Sequence, residues 1–547
     1  MTGFVFRRSL PSLTLLLALA FGISVIALAA GAPVWVPGLI AVALAGAQWA
    51  LGPLVLEWLV PGYVIAHDGE RYATDHVLGE LVASRCRDAG IPFVRLGIVD
   101  DGTPNAFTFG RSRRSARVWV SRGLLERLDR DELDAVITHE LGHVKHYDFV
   151  LMTVASVVPM LLFWIWLFTR DSRDESFAVA LAAYFAYLVS EFALLGLSRA
   201  REYGADHWSC ECTGNGDALA SALVKIQYGI GEAHAKQRRE TERLLREGGD
   251  VKKRAVKWRR QAQRVESLRI MGIADSRRDA AAAALGSAVD EQRAMSALRW
   301  DTVSPWGRML EKISTHPLAA RRIEALEQSE LPGRPRRFGA LLRSSAPSDS
   351  ERSACLVQFM REVALLVAPY AAALVVGVPL GGGRLGIGGA LCACGVLLFV
   401  LEHVRYPRRF TPVSEVTSLL ERLDASPVAG IPVEVRGTII GREVPGYVLS
   451  PDLVVQDGSG FVALRYRQPV PFVAALFGLI RVPDYMGVEV TARGWYRRGV
   501  GPWIELHDVE AIDGSRRARA WLWLARYAAA VTVFAVGLVM IAAGVTA

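Results

Sequence analysis

Three residues in the segment THELGH, at positions 138–143, are of types that can bind and use a metal ion. His139 and His143 lie four residues apart, so on a helix both imidazoles face the same side. Glu140 follows the first histidine directly and is close enough to act on a water molecule held there. This is the HExxH spacing, in which two histidines bind zinc and the glutamate is the general base of hydrolysis. The motif has only three fixed positions and also occurs by chance, so alone it leaves both explanations open.

The residues around this motif predict that it lies on a helix. The segment 129–148 begins with acidic residues, which suit a helix N-terminus, and continues with apolar residues at helical spacing. Gly142 is a poor helix former in the middle of this pattern. An interior glycine usually has a packing reason, and we expect this one to keep side-chain bulk away from the metal.

The composition of the chain predicts a membrane protein. Apolar residues make up 52% of the chain and the mean hydropathy is +0.25, which indicates several membrane spans. The first two apolar runs predict a transmembrane hairpin rather than a cleaved signal peptide, whereas the glycine-rich link between the fifth and sixth leaves a re-entrant hairpin open. The apolar runs, of about 18 to 25 residues, are 13–30, 36–56, 149–168, 177–197, 363–380, 385–401 and 521–545.

The distribution of charge predicts the orientation of these spans. The chain has 63 Lys and Arg residues against 55 Asp and Glu, a net charge of +8. The basic excess lies at 111–117, 236–264 and 334–343. Because basic segments between spans stay in the cytoplasm, the sequence predicts a multi-pass plasma-membrane protein whose large hydrophilic segments are cytoplasmic. The lipid bilayer accounts for this charge, and no nucleic-acid partner is needed to explain it.

A third metal ligand must come from another part of the chain, since a catalytic zinc takes three protein ligands and leaves one position to water. Glu202 and Asp206 lie four residues apart, directly after the fourth apolar run. One carboxylate could bind the metal while the other accepts the N–H of a ligand histidine. A solvated charged helix leaving the membrane explains the same residues. The six cysteines lack zinc-ribbon spacing and are expected to be reduced and structural.

Six segments, in order, resemble the HtpX/Ste24 group of integral-membrane zinc metalloproteases, peptidase family M48, and its bacterial HtpX-like branch above all. The similarity extends over residues 63–326. Six segments in the right order are far more specific than HExxH alone. They are PNAFTFG, VWVSRGLL, DELDAVITHELGHVKHYD, SRAREYGAD, TGNGDALASALVKI and THPLAARRIEAL.

This resemblance implies a fold and a ligand set. The fold class is a mostly α membrane protein with a gluzincin-type (zincin) α+β catalytic domain on transmembrane helices. Zn²⁺ is the implied cofactor, and Glu140 is the implied catalytic group that activates water. The implied metal ligands are His139, His143 and Glu202, and the implied supporting carboxylates are Asp206 and, more weakly, Asp148.

Two further segments receive expected roles in substrate binding and catalysis. Asn105, Ala106 and Phe107 belong to an extended segment that, as an edge strand, could add a substrate peptide by β-augmentation. A plain surface strand is the alternative. By the resemblance, His316 and Arg322 are catalytic groups that stabilise an oxyanion or hold a substrate carbonyl. By itself, a His-Pro pair is more often a turn.

The end of the chain departs from the family pattern, because a compact HtpX-like protein would finish soon after the THP segment. Alternating residues between 431 and 513 predict five short strands and a small OB-like β-barrel. Its arginines are too few and scattered to favour nucleic acid over protein docking or apposition to the membrane. Residues 470–483 are apolar but too short to span, so they are expected to enter the membrane interface or to pack under the barrel.

The predicted organisation joins these features. The chain is expected to be a membrane-embedded zinc endopeptidase that cuts proteins at the cytoplasmic face, and the resemblance implies quality control of misfolded membrane proteins. Two alternatives stay open: a protease dedicated to one substrate, and a membrane scaffold with a structural metal site and a partner-binding barrel. The oligomeric state is not predicted. The predicted parts are an N-terminal transmembrane hairpin (1–62), an M48-like domain (63–345) that includes two transmembrane helices (149–168 and 177–197), a transmembrane or re-entrant hairpin (346–403), a cytoplasmic OB-like domain (404–515) and a last transmembrane helix (516–547).

Overall fold

The computed structural model describes most of the chain outside its N-terminal segment and a long central segment. Two of the predicted features, the apolar run 13–30 and the basic segment 236–264, lie outside the described residues. The described ranges are 35–59, 62–64, 77–99, 104–170, 176–226, 291–328, 337–344, 346–381, 383–443, 450–499 and 501–545.

The chain divides into two compact units, each built from several segments. The first unit comprises Met1–Ile230, Arg260–Asp279 and Met309–Ser344, and the second comprises Gly231–Arg259, Ala280–Arg308 and Ser345–Ala547. The helices are α1 (Trp35–Leu59), α2 (Val77–Ala89), α3 (Arg122–Leu125), α4 (Arg130–Lys145), α5 (Asp148–Thr169), α6 (Ser176–Thr213), α7 (Glu291–Val303), α8 (Pro305–Lys312), α9 (Ala319–Gln328), α10 (Arg337–Ser344), α11 (Asp349–Gly377), α12 (Arg384–Arg405), α13 (Pro471–Ile480), α14 (Val482–Tyr485) and α15 (Leu522–Val545). The strands are β1 (Gly62–Val64), β2 (Arg95–Val99), β3 (Ala106–Phe109), β4 (Arg117–Ser121), β5 (Thr411–Pro412), β6 (Ile431–Arg442), β7 (Leu453–Gln456), β8 (Phe461–Arg465), β9 (Glu489–Arg498), β10 (Pro502–Ala511) and β11 (Arg517–Arg519).

A four-stranded sheet in the first unit supports the helices that carry the metal-binding motif. Its strand order is β1–β2–β4–β3, which places β3 at one edge among the described strands. Strands β2 and β4 are parallel, whereas β3 runs antiparallel to β4. The side chains of Phe107, Phe109 and Trp119 form a buried cluster in this sheet. Strand β3 therefore has a buried core face and an open backbone edge.

Helix α4 forms over the segment that the sequence predicts to be helical. A capping box starts it: Glu132 N–H donates to the Asp129 carboxylate at 3.0 Å, and Asp129 N–H donates to the Glu132 carboxylate at 2.9 Å. Its last turn is followed by Tyr147, which has a φ of 57°, and α5 then continues at an angle of 55° to α4. This bend places Asp148, the first residue of α5, next to the end of α4.

Gly142 serves the packing of two helices. A Cβ atom at this position would lie 3.2 Å from Ala205 Cα and 3.2 Å from Trp208 Cε3, and both residues belong to α6. The sequence predicts that Gly142 keeps side-chain bulk away from a metal, whereas in the structure it makes room for α6. The missing side chain lets α4 approach α6, and α6 carries Glu202.

Long apolar helices account for four of the seven predicted membrane spans, namely 177–197, 363–380, 385–401 and 521–545. Within the described residues, four helices are long and apolar enough to cross a bilayer, and a fifth is added if the bent pair α4–α5 is one span. The two helices of the predicted 363–401 hairpin, α11 and α12, have 29 and 22 residues. Each is long enough to cross by itself, so helix length favours two spans over a re-entrant loop. The four helices contain Ala180–Thr213, Asp349–Gly377, Arg384–Arg405 and Leu522–Val545.

The predicted five-stranded barrel is confirmed in the second unit. The strands pair in the closed order β6–β7–β8–β10–β9–β6, with β8 and β10 parallel and the other pairs antiparallel. This closed small barrel is of the OB-like type. Helices α13 and α14, formed by the apolar segment 470–483, connect β8 to β9. One face of α13 packs under the barrel, where the Phe477 ring stacks on Tyr466 with ring centroids 4.0 Å apart.

Candidate metal centre

Three side chains from α4 and α6 converge on one point in the first unit. The Nε2 atoms of His139 and His143 lie 3.3 Å apart, and the Glu202 carboxylate oxygens lie 3.6 Å and 3.7 Å from them. One ligand atom from each of the three residues falls within 4.8 Å of the others. Helical spacing explains the pairing of the histidines, and the close approach at Gly142 brings α6 near enough to supply the carboxylate.

A carboxylate contacts the far nitrogen of each histidine. His139 Nδ1 lies 2.9 Å from Asp206 Oδ1, and His143 Nδ1 lies 2.5 Å from Asp148 Oδ2. With each Nδ1 held in this way, each Nε2 faces Glu202 with a lone pair available for a metal. Asp206 stands one helical turn after Glu202, as its spacing suggests, whereas Asp148 reaches His143 because of the bend before α5.

Arg322 pairs with two carboxylates of this arrangement, those of Asp206 and Glu202. Its guanidinium donates two hydrogen bonds to Asp206, at 2.8 Å and 2.6 Å, and lies 3.8 Å from Glu202 Oε2. The side chain is only 2% exposed. The resemblance implies that Arg322 contacts the reacting carbonyl, but its guanidinium is buried and hydrogen-bonded to Asp206, so it contacts the carboxylates of the site instead.

His316 lies closer to Glu202 than Arg322 does, and the loop before His316 is fixed by Arg199. His316 Nδ1 lies 3.2 Å from Glu202 Oε1, and the ring is partly exposed. The loop before it is fixed by Arg199 of α6, which donates hydrogen bonds to the carbonyls of Glu311, Lys312 and Ser314 at 2.8–3.0 Å. Arg199 is not among the predicted site residues.

Glu140 is buried and oriented by Thr108. Thr108 Oγ1 donates to Glu140 Oε2 at 2.7 Å and lies 3.2 Å from the Glu140 carbonyl oxygen. Thr108 belongs to β3, two residues after Ala106, and was not among the expected site residues. Its signal in the sequence is the NAFTFG segment, which resembles the family and comes before the catalytic helix in the chain.

The register of β3 changes the expected substrate-binding residues. Ser121 N–H donates to the Asn105 carbonyl at 2.8 Å, so Asn105 faces β4. Because hydrogen-bonded pairs alternate along an antiparallel ladder, Phe107 opposite Trp119 also turns its backbone toward β4. The backbone groups of Ala106 and Thr108 point to the outer edge. Of the three expected residues, only Ala106 can thus pair with an added strand, while the Phe107 side chain is in the core.

We expect Thr108→Val to lower casein cleavage about 10- to 100-fold while the zinc content of the protein stays unchanged. The substitution keeps the β-branched shape and removes one hydrogen bond to a carboxylate, an interaction of about 1.5–3 kcal/mol. Steady-state kinetics and metal analysis on the purified protein measure both quantities. Thr108→Ser keeps the hydroxyl and should retain most of the activity. Equal activity of the Val and Ser variants would contradict a role for this hydroxyl in orienting Glu140.

The residues present fit a zinc ion. Two imidazole nitrogens and one carboxylate oxygen are a zinc donor set, and donors about 2.0–2.1 Å from a tetrahedral ion lie about 3.3–3.4 Å apart. Glu202 Oε2 is buried and accepts no hydrogen bond from the described residues. Burial lowers the pKa of His139, but the neighbouring carboxylates of Asp206 and Glu202 outweigh it and raise the pKa to about 9. The buried carboxylates therefore stabilise positive charge at this point, which is the charge that a divalent cation supplies.

Comparison with known proteins agrees with this geometry. A family model described as Peptidase family M48 matches residues 73–330, which include both histidines and Glu202. A protein named Protease HtpX homolog from Methanothermobacter thermautotrophicus is 40% identical over 182 residues, which cover 33% of this chain and 68% of that protein. The chain belongs to peptidase family M48.

Two further proteins match parts of the chain. A Protease HtpX homolog from Thermococcus sibiricus is 39% identical over 167 residues, or 28% of this chain and 57% of that protein. A solved structure, described as the crystal structure of S. mikatae Ste24p, has 19% identity and a TM-score of 0.31, and the match covers 41% of this chain and 60% of that one. The family match ends at residue 330, so it includes neither the α11–α12 hairpin nor the barrel.

Proposed function

We propose that this M48 protein is a zinc-dependent endopeptidase that cleaves proteins at the cytoplasmic face of the membrane. The observation that carries this proposal is the convergence of His139, His143 and Glu202 beside the buried Glu140. Family membership supports a membrane-embedded metalloprotease, and four apolar helices support the membrane setting. The cytoplasmic face rests on the basic segments between the spans and the positive-inside rule.

The residues of the site have separate tasks in hydrolysis. His139, His143 and Glu202 would hold the ion, and zinc would supply Lewis acidity, which lowers the pKa of water and polarises a peptide carbonyl. Glu140 takes a proton from the attacking water and returns it to the leaving nitrogen. Thr108 fixes the direction of the Glu140 carboxylate before the proton moves.

The edge strand β3 is the proposed substrate platform. A peptide in extended conformation would pair with the outward backbone groups of Ala106 and Thr108 and so become an added strand. Main-chain pairing selects for an unfolded, extended chain rather than for particular side chains. This mode of binding supports cleavage of misfolded membrane proteins, the role that the family resemblance implies.

Chelation is expected to abolish peptide cleavage by the full chain purified in detergent. Adding 1,10-phenanthroline should reduce cleavage of fluorescent casein to background, because the residues that remain lack the Lewis acid. Added Zn²⁺ should restore it, and the non-chelating 1,7-phenanthroline is the matched control. Cleavage that persists after complete removal of the metal would contradict a metal-dependent mechanism.

Substrate capture separates the proposal from its two alternatives. The Glu140→Gln protein, expressed in membranes and isolated with its bound proteins, is expected to hold many unrelated membrane proteins in extended or misfolded states. A single bound protein that the wild type cleaves would favour a dedicated processing protease. A stoichiometric partner that the wild type binds and never cleaves would favour a membrane scaffold with a structural metal site.

A further inference from the structure

Helix α13 of the barrel domain exposes an apolar face. The eleven residues VPFVAALFGLI, at 470–480, contain no polar or charged side chain. Phe472 is 72% exposed, Leu479 is 46% exposed and Ile480 is 56% exposed. Val473 and Leu476 are exposed beside them, so the outward side of the helix is a continuous apolar stripe at helical spacing. Exposure of this apolar stripe to water is energetically unfavourable.

The packing of α13 against the barrel uses the opposite side. Ala474, Phe477 and Gly478 are buried, and Arg442 donates a hydrogen bond to the Gly478 carbonyl at 2.9 Å. These contacts fix the rotation of the helix about its axis. The outward stripe therefore faces away from the barrel core, so packing within the barrel does not explain why it is apolar.

The start of α13 is tied to the start of a candidate membrane span. Leu522, the first residue of α15, donates its N–H to the Arg467 carbonyl at 3.4 Å. Gln468 and Tyr466 each donate a side-chain hydrogen bond to the Arg519 carbonyl, at 2.9 Å and 3.1 Å. Helix α13 starts at Pro471, four positions after Arg467, which is a distance of at most about 14 Å in an extended chain. Helix α13 therefore begins close to the start of α15.

The size and flanks of α13 suit the interfacial layer of a bilayer. Ten residues make a helix about 15 Å long, half of the ~30 Å hydrocarbon core, so α13 cannot span. Exposed Arg467 and Arg481 lie on either side of it, where they can contact lipid phosphates. Trp521, partly exposed before α15, is of the type found at membrane interfaces.

We infer that α13 lies in the headgroup and acyl boundary of the bilayer that holds α15, and that phospholipid covers its outward stripe. Its apolar side chains would enter the membrane by about 5–10 Å. The barrel is then fixed to the membrane surface at a second point besides α15. This inference does not depend on the proposed peptidase activity.

Photocrosslinking to lipid tests this inference on the full chain in vesicles of phosphatidylcholine and phosphatidylglycerol. Benzoyl-phenylalanine in place of Phe472 preserves an exposed aromatic ring. We expect lipid adducts, detected by mass spectrometry, at least ~10-fold above those from the same residue in place of Gly458. Gly458 is exposed in the β7–β8 turn, at the opposite end of β8 from α13. Val539, 68% exposed within α15, is the positive control.

A second variant shows whether the apolar stripe causes the contact with lipid. Leu476→Asp with Leu479→Asp, combined with the label at position 472, should reduce lipid adducts at least ~10-fold and leave those from position 539 unchanged. The position-539 signal shows that the protein is folded and inserted. Crosslinks from position 472 to another protein or to a second copy of the chain, or adducts no more abundant than at position 458, would overturn the inference.

Discussion

Glu140→Gln is expected to lower casein cleavage by roughly 10²- to 10⁴-fold, the contribution typical of a general acid–base group. Glutamine keeps the size of the side chain and can still accept the hydrogen bond from Thr108, but it cannot take the proton of the attacking water. Because the metal ligands are His139, His143 and Glu202, the zinc content should remain near that of the wild type. Initial-rate assays and metal analysis on the same preparation measure both.

Glu211→Gln is the matched control for this variant. Glu211 lies on α6 as Glu202 does, but its side chain is 50% exposed and pairs with His207 on the surface. Its substitution should change neither quantity. If Glu140→Gln cleaved casein as fast as the wild type, Glu140 could not be the general base. If it lost the zinc instead, its role would be structural.

Asp206→Ala is expected to destabilise the first unit by about 3–5 kcal/mol, because removal of one partner leaves a buried charge uncompensated. Arg322 would lose both hydrogen bonds to Asp206, while Glu202 Oε2 would remain 3.8 Å away. His139 would lose the carboxylate that holds its Nδ1, which should lower zinc affinity about 10- to 100-fold. Thermal unfolding followed by tryptophan fluorescence and competitive zinc titration measure the two effects.

A double variant separates these effects. Asp206→Ala with Arg322→Met also removes the buried positive charge that Asp206 balances and should recover part of the lost stability, whereas zinc affinity should stay low because His139 still lacks the Asp206 carboxylate. Asp206→Ala with wild-type stability and zinc affinity would show that the buried pair has no part in holding the ligands.

Local spacing predicted which side chains share a helical face in the candidate site, and the family resemblance was needed to choose the metal ligands among them. Two histidines four residues apart on a capped helix must share a face, and Glu202 with Asp206 follow the same rule on α6. The five strands of the barrel followed from their alternating residues. These features depend on periodicity within one element, which the sequence contains directly.

The features that the sequence did not predict depend on contacts between elements. Thr108 meets Glu140 only because β3 packs beside α4, and Arg199 fixes the loop before His316 across more than 100 residues of chain. Glycine is needed at position 142 because α6 packs closely against it. The direction of each backbone group in β3 depends on its register with β4, and a short motif does not contain that register.

X-ray absorption at the zinc edge, on the zinc-loaded full chain, tests the central claim most directly. We expect one zinc per chain with nitrogen and oxygen ligands only, two of them imidazoles, at about 2.0–2.1 Å. Glu202→Ala should lower the zinc content or replace the carboxylate oxygen by solvent. A sulfur shell near 2.3 Å, or a zinc environment that His139→Ala and Glu202→Ala leave unchanged, would contradict it.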